Sequence, residues 1–388
     1  MHNFSGYFAI VALLLVGLLL AVGCGGADEE EAPLWEFSEP PVEEIEPTPQ
    51  ECADGEVFNP ITEECNPLSC TLVDVRGRTC RPDGGDLGAV QAELTGQSCN
   101  GPYSAAITTD DEGYFEFSDV PHGSYELRLK AGLFERVIAV EVDEGGDVFV
   151  DAVDEELCFV GDEVKIAVFE DAFDDVGSQL DEMGLDYDTF PLFAVGSNNN
   201  VGLDTLADID ELLRYDVVLF ECGQQWIQRI RDPTAAPTAT IFSNLQDFVA
   251  AGNHLVVTDM AYELGAIPFP DMMTMYGAAD SSSLPSVGGS QAVSADVVSA
   301  ALLEHLGTST LEINYALGSW VVAVDAGPSS VVHLRSDVDI NTGSVDDAPL
   351  LITYEDSSGG TVTYKSFHND ATDDGESKAV MDFMLFHQ

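Results

Sequence analysis

Two stretches of this 388-residue chain carry side chains in arrangements able to do chemistry. One is Phe220-Glu221-Cys222-Gly223, where a thiol ends an apolar run. The other is Phe367-His368-Asn369-Asp370, where an imidazole is closely followed by an acid. A thiol nucleophile, a base and a group that orients the base are the parts of nucleophilic catalysis. Both stretches end segments that read as strands, and so do Glu170, Asp171 and Asp259. In open α/β sheets ligands gather at the carboxyl ends of the strands. Glu170, Asp171, Glu221, Asp259, His368 and Asp370 are therefore the candidate ligand crevice. Carboxylates with one imidazole could hold a divalent cation, which could activate water. No fixed ligand spacing marks the set as a metal motif, and acids abound throughout the chain.

The elements that must position these residues lie in 162–388. KIAVFE is a short apolar strand, and DDVGSQLDEMGL follows with helical spacing. Next come DYDTF, a helix around LADIDELLRY, the strand DVVLFE, a helix through IFSNLQDFVAAG and the strand HLVVTD. Strands alternating with helices predict βαβ units and a parallel sheet covered on both faces. LEINYALGSWVVAVDAG and PLLITYEDSSGGTVTYKSFH read as hairpins, and SKAVMDFMLF as a closing helix.

This half resembles the class I glutamine amidotransferase-like superfamily, including its ThuA-like branch. The resemblance is carried by KIAVFEDAFDDVGSQLDEMGLDYDTF, YDVVLFECG, AAGNHLVVTDMAYEL and GGTVTYKSFHND. It implies a three-layer, flavodoxin-like α/β fold. In those enzymes the cysteine sits within Gly-x-Cys-x-Gly on a strained strand-to-helix turn, activated by a histidine and an acid. The place of that turn is after the fourth strand, where this chain reads Val257-Thr258-Asp259-Met260-Ala261-Tyr262, without Cys or Ser. Cys222 follows the third strand, lacks the preceding glycine and has Gly223 one place too early. It is expected to be a buried structural thiol. His368 matches the histidine of the family's Phe-His-Pro-Glu, and without a nucleophile it is expected to cap a strand end or bond a neighbouring carbonyl.

Residues 70–158 change to period-two alternation, clearest in SYELRLK, VIAVEV and DVFVDAV, with DEGG as a turn. AVQAELTG and YFEFSDV precede them, with Asp111-Glu112-Gly113 read as a hairpin turn. The expectation is a small antiparallel β-sandwich. The run from VDVRGRTC to ERVIAVEV resembles a carboxypeptidase regulatory-like, transthyretin-like domain, its core spanning Asp110 to Tyr125. That resemblance implies an accessory module without catalytic residues. Asp110, Asp111 and Glu112 read as solvated turn acids, with Ca²⁺ ligation as the alternative.

Residues 1–23 read as a signal peptide. Phe8 to Val22 is apolar but shorter than the roughly 20 residues that span a bilayer. Ala21-Val22-Gly23-Cys24 resembles the lipobox of bacterial lipoproteins, which implies cleavage before Cys24 and acylation of its thiol. The leader MHNFSGY departs from pattern in having no Lys or Arg. Gly25, where Asp would mark inner-membrane retention, implies the outer membrane. Residues 24–69 form an acidic, proline-rich tether in which like charges extend the chain. Trp35 and Phe37 are solvated spacer residues in this reading, with a docking motif as the alternative.

The chain has 13 Lys+Arg against 70 Asp+Glu, a formal charge of −57. Nucleic acid, bound by cations that neutralise phosphates, is excluded as a partner. The acidity fits a saline habitat, with cation binding as the alternative. Exported cysteines are expected to pair. Cys52–Cys65 would close a small loop, and Cys222, far from the rest, is the expected free thiol. Pairings among Cys70, Cys80, Cys99 and Cys158 stay open. Asn198-Asn199-Asn200 reads as a loop. Trp226 and Trp320 read as core or rim, with a sugar platform as the alternative.

The expected protein is thus a cell-envelope lipoprotein, held to membrane lipid through acylated Cys24. It presents a β-sandwich and a degenerate amidotransferase-like domain in a non-catalytic binding or structural role. Its partner would be an envelope protein or carbohydrate. The alternative is a metal-dependent hydrolase using Glu170, Glu221, Asp259 and His368.

Overall fold

Apolar runs long enough to be buried on both faces mark the centre of the molecule. In the computed structural model these runs are β11 (Ile166–Glu170), β13 (Val217–Phe220) and β14 (His254–Thr258). The structure describes residues 70–143, 148–149, 157–171, 173–191, 201–223, 238–277, 287–368 and 376–387, and the backbone of 56–59 and 64–67. The readings of the signal segment, Cys24, Trp35, Phe37, Cys52, Asn198 to Asn200, Trp226 and Asp370 lie outside these residues. Residues 52–388 form one compact unit. Among the described residues no helix is long and apolar enough to cross a membrane.

The short hairpin β1 (Glu56–Asn59) and β2 (Glu64–Pro67) comes first. Two four-stranded sheets follow. One holds β3 (Leu72–Cys80), β6 (Tyr114–Pro121), β9 (Val148–Phe149) and β10 (Leu157–Cys158). The other runs β5 (Gly101–Thr108), β4 (Gln91–Ser98), β7 (Gly123–Ala131), β8 (Phe134–Val142). Alternate residues of both, Val75 and Phe117 from one, Leu94 and Leu127 from the other, are buried in a common core. The burial follows the period of two that the pleat imposes.

Two readings of this region are corrected. The turn at Asp111-Glu112-Gly113 is not a hairpin turn, because β5 pairs with β4 while β6 pairs with β3. It carries the chain between sheets, with Gly113 at φ 83° and the Asp110 carboxylate accepting from the amide of Tyr114 at 2.7 Å. Nor is the lobe wholly antiparallel: β9 and β10 both run parallel to β3. Disulfides join Cys80 to Cys158, across the β3–β10 pair, and Cys70 to Cys99.

The large sheet begins β12 (Tyr187–Pro191), β11, β13, β14, β23 (Thr361–Lys365), all parallel. Alternate residues of its strands enter different cores. Ile166, Val168, Leu219 and Val256 lie in one, with helices Val176–Glu182 and Glu376–Phe386. Ala167, Phe169, Phe220 and Val257 lie in the other, with helices Val201–Leu206 and Thr238–Ala250. Burial on both faces explains why these strands read as continuous apolar runs.

The sheet continues antiparallel through β22 (Gly343–Glu355) and β21 (Ser330–Ile340). The β22–β23 hairpin turns at Asp356 to Gly360, as its sequence predicts. The other expected hairpin, within LEINYALGSWVVAVDAG, does not form. β18 (Thr310–Tyr315) pairs with β17 (Gln291–Val297), and β19 (Trp320–Val321) with β16 (Val287–Gly288). β20 (Ala323–Ala326) pairs with β15 (Met273–Met275). The apolar residues there meet partners far along the chain, which local spacing cannot encode. Trp320 is fully buried and stacked on Tyr315, centroids 3.7 Å apart, so it belongs to the core rather than to a sugar platform.

The two lobes share the first core. Phe134, opening β8, stacks on Phe386 of the closing helix at 4.5 Å. Arg81 donates to Asp382 on that helix at 3.0 Å.

Candidate functional site

The order of the parallel strands reverses between β11 and β13, and because β13, β14 and β23 are parallel neighbours their carboxyl ends lie side by side. β14 ends at Thr258, and the next residue, Asp259, has φ 45° before a 3-10 turn through Ala261. A non-glycine residue in the left-handed region costs on the order of 1–3 kcal/mol and persists only where its surroundings fix it. Here they do. Asp259 is fully buried, and its Oδ1 accepts from the Val321 amide at 2.7 Å. Its Oδ2 lies 3.2 Å from Cys222 Sγ and 2.9 Å from His368 Nε2.

A strained turn from strand into helix is therefore present, and an aspartate stands on it. Cys222 reaches it from the end of the neighbouring strand β13, and His368 from beyond β23 on the other side. Cys222 is free and buried. Burial above all, then the charges of Asp259 and Asp174, push its thiol far above the ordinary range. A thiol so held donates its proton rather than attacking. Burial alone would lower the His368 pKa. Its hydrogen bond to Asp259, with the charges of Asp174 and Asp259, outweighs this and raises it.

Among the described residues of the candidate crevice, Asp259 and His368 come together in one donor group, and Cys222 completes it. Their donor atoms lie within 4.8 Å of one another. Glu221 is buried, but its oxygens accept from the amides of Asp171 at 3.0 Å and Val176 at 3.1 Å. It tethers the loop that enters helix Val176–Glu182. Burial pushes its carboxyl up to about 8, against those two hydrogen bonds. It lies outside the Cys222–Asp259–His368 donor group, with each oxygen accepting from a backbone amide. Glu170 and Asp171 are half-buried at the end of β11 and do not join the cluster. Asp110, Asp111 and Glu112 likewise form no donor cluster.

Sequence reading missed Asp174, whose Oδ2 accepts from the Cys222 amide at 2.7 Å, and the fastening of Asp259 to Val321. Nothing local marks either, since the partners are 48 and 62 residues away. Gly223 has a different purpose from an elbow glycine. A Cβ there would lie 1.8 Å from the Asp171 carboxylate, so the glycine makes room for Asp171.

A cavity of about 280 Å³ adjoins the cluster, lined by Phe173, Cys222, Met260, Leu317, Gly318 and Ser319.

No protein-family model and no curated protein matches the sequence. Among solved structures, a glutamine amidotransferase from Thermotoga maritima overlaps 53% of this chain and 75% of its own, at 11% identity and TM-score 0.34. PurLQS from the same organism overlaps 57% of this chain and 97% of its own, at 13% identity and TM-score 0.36. A cytoplasmic protein from Salmonella typhimurium LT2 overlaps 57% and 95%, at 14% identity and TM-score 0.33. Similarity this slight assigns the chain to no family.

Proposed function

We propose that this protein is a cell-envelope lipoprotein with a non-catalytic binding or structural role. In this reading acylated Cys24 anchors it, the acidic tether of residues 24–69 lifts the folded part away from the bilayer, and residues 70–158 form a carboxypeptidase regulatory-like β-sandwich. Residues 162–388 are a flavodoxin-like, amidotransferase-like domain that has lost its nucleophile. The observation that carries the non-catalytic reading is Asp259. It stands on the turn after β14 with one oxygen held by Val321 and the other by Cys222 and His368. A carboxylate buried in this way, held by three donors and paired with the would-be base, orients its neighbours rather than presenting a free nucleophile. The one nearby thiol is held protonated. The lipid anchor rests on the short apolar leader and the Ala21-Val22-Gly23-Cys24 stretch.

Two measurements test the reading. Cells fed labelled palmitate should yield labelled protein, and Cys24→Ser should abolish both label and membrane fractionation. An unlabelled product rejects the anchor. Purified protein should show no amidase or esterase turnover that depends on Cys222 or His368. Turnover lost in His368→Ala rejects the non-catalytic role.

A further inference from the structure

Cys222, Asp259 and His368 follow three strands that are neighbours in the sheet, β13, β14 and β23. One sulfur, one oxygen and one nitrogen converge, with Asp259 Oδ2 3.2 Å from Sγ and 2.9 Å from Nε2. Zinc bonds to such donors are about 2.0 to 2.3 Å, so tetrahedral ligand edges run roughly 3.3 to 3.7 Å. The observed separations fall short of these by only a few tenths of an ångström. Sγ and Nε2 both lie against Asp259 Oδ2, so a small cation set among the three would meet every donor.

Charge and support fit as well. A thiolate, a carboxylate and a neutral imidazole with a dication sum to zero, which suits a cluster as buried as this one. Outer partners fix two of the ligands. Val321 donates to the other oxygen of Asp259, and Asp174 accepts from the Cys222 amide. Such partners orient ligands in metal sites generally. The cavity against Cys222 leaves space for a fourth ligand. Sulfur and nitrogen donors select zinc-like ions over calcium or magnesium, which take all-oxygen sets.

We propose that Cys222, Asp259 and His368 form a three-ligand site for a zinc-class divalent ion, its fourth position facing the cavity. The inference rests on the non-catalytic binding role proposed above, places it in this crevice and names what is bound. Binding replaces S–H and N–H bonds by S–metal and N–metal bonds. The thiol gives up its proton to solvent and Nε2 must be free of a proton to bind, so affinity falls as pH falls.

The test is titration of the purified full chain, in detergent, with Co²⁺ alone. The expected result is one ion per chain, a near-ultraviolet thiolate-to-cobalt charge-transfer band, and displacement by Zn²⁺. Cys222→Ser should remove the band and weaken binding about 100-fold or more, since loss of an outer partner alone costs 10- to 100-fold. His368→Gln should keep the band but weaken binding comparably, and it serves if the serine variant does not fold. No band in the parent protein, or a band unchanged in Cys222→Ser, overturns the site. The two readings fail separately. Absence of both metal and turnover overturns the site and leaves the non-catalytic role standing. Metal binding with turnover lost in Cys222→Ser does the reverse.

Discussion

His368 Nε2 lies 2.9 Å from Asp259 Oδ2, across 109 residues of sequence. The aspartate is wholly excluded from water, and the histidine side chain is only 10% exposed. Removing one member of such a pair leaves the other charge buried and uncompensated. Asp259→Asn also turns an amide donor toward the Cys222 and His368 donors, or toward Val321 N. Urea unfolding of this variant should show a loss of roughly 3–5 kcal/mol. A loss below about 1 kcal/mol would mean that the pair is not formed in solution.

Cys222 should resist alkylation. Its thiol is buried and its pKa is pushed up by burial and by the charges of Asp259 and Asp174. Iodoacetamide at neutral pH should leave Cys222 unlabelled in folded, metal-free protein and label it in urea, as read by peptide mass spectrometry. Rapid labelling of the folded chain would show a thiolate.

The closing helix should bind the lobes into one cooperative unit. Phe386→Ala removes the stack on Phe134 and leaves a cavity in the shared core. The expected loss is about 3–5 kcal/mol. Hydrogen exchange should accelerate in β7 and β8 as well as in the helix. An effect confined to the helix would show that the lobes unfold independently.

The two disulfides should differ in weight. The Cys80–Cys158 bridge spans 78 residues and the Cys70–Cys99 bridge 29. Loop-closure entropy gives about 4.5 kcal/mol for the first and about 3.6 for the second. Paired alanine variants compared by urea unfolding should therefore rank in that order. The reverse order would show that constraint of the unfolded chain is not the controlling effect.

Acid should unfold the α/β lobe through two histidines. Burial depresses His254 and His333 to about 4 each. Their unfolded value is near 6.5, so between these pH values the unfolded chain binds more protons than the folded one. Their stabilising contribution is complete above about pH 6.5 and is lost as pH falls toward 4, by at most about 3 kcal/mol per residue. Urea midpoints at pH 7 and 4.5 should show the fall, and His333→Gln should reduce it. An equal fall in the variant would remove His333 as a cause.

Much of the scaffold was legible because burial leaves a local mark. Strands β11, β13 and β14 are apolar on both faces and read as unbroken runs, while Tyr125, Leu127 and Leu129 alternate because only one face of β7 is buried. The β22–β23 hairpin announced itself by Ser357-Ser358-Gly359-Gly360. Pairings between distant segments left no such mark. The partners of β18, β19 and β20, and the parallel addition of β9 and β10 to β3, depend on which edges meet after collapse.

The same division holds at the site. By itself the sequence determined that Asp259 directly follows the fourth strand and that His368 lies just past the last one, because both facts follow from residue identity and strand order. Only the tertiary structure decided that Cys222 and His368 converge on Asp259 while Glu221 turns away to hold Asp171 and Val176. The reason is geometric. Strand ends from remote stretches become neighbours only when the sheet is assembled, and a side chain's partner is then set by sub-ångström placement that no spacing in the chain records.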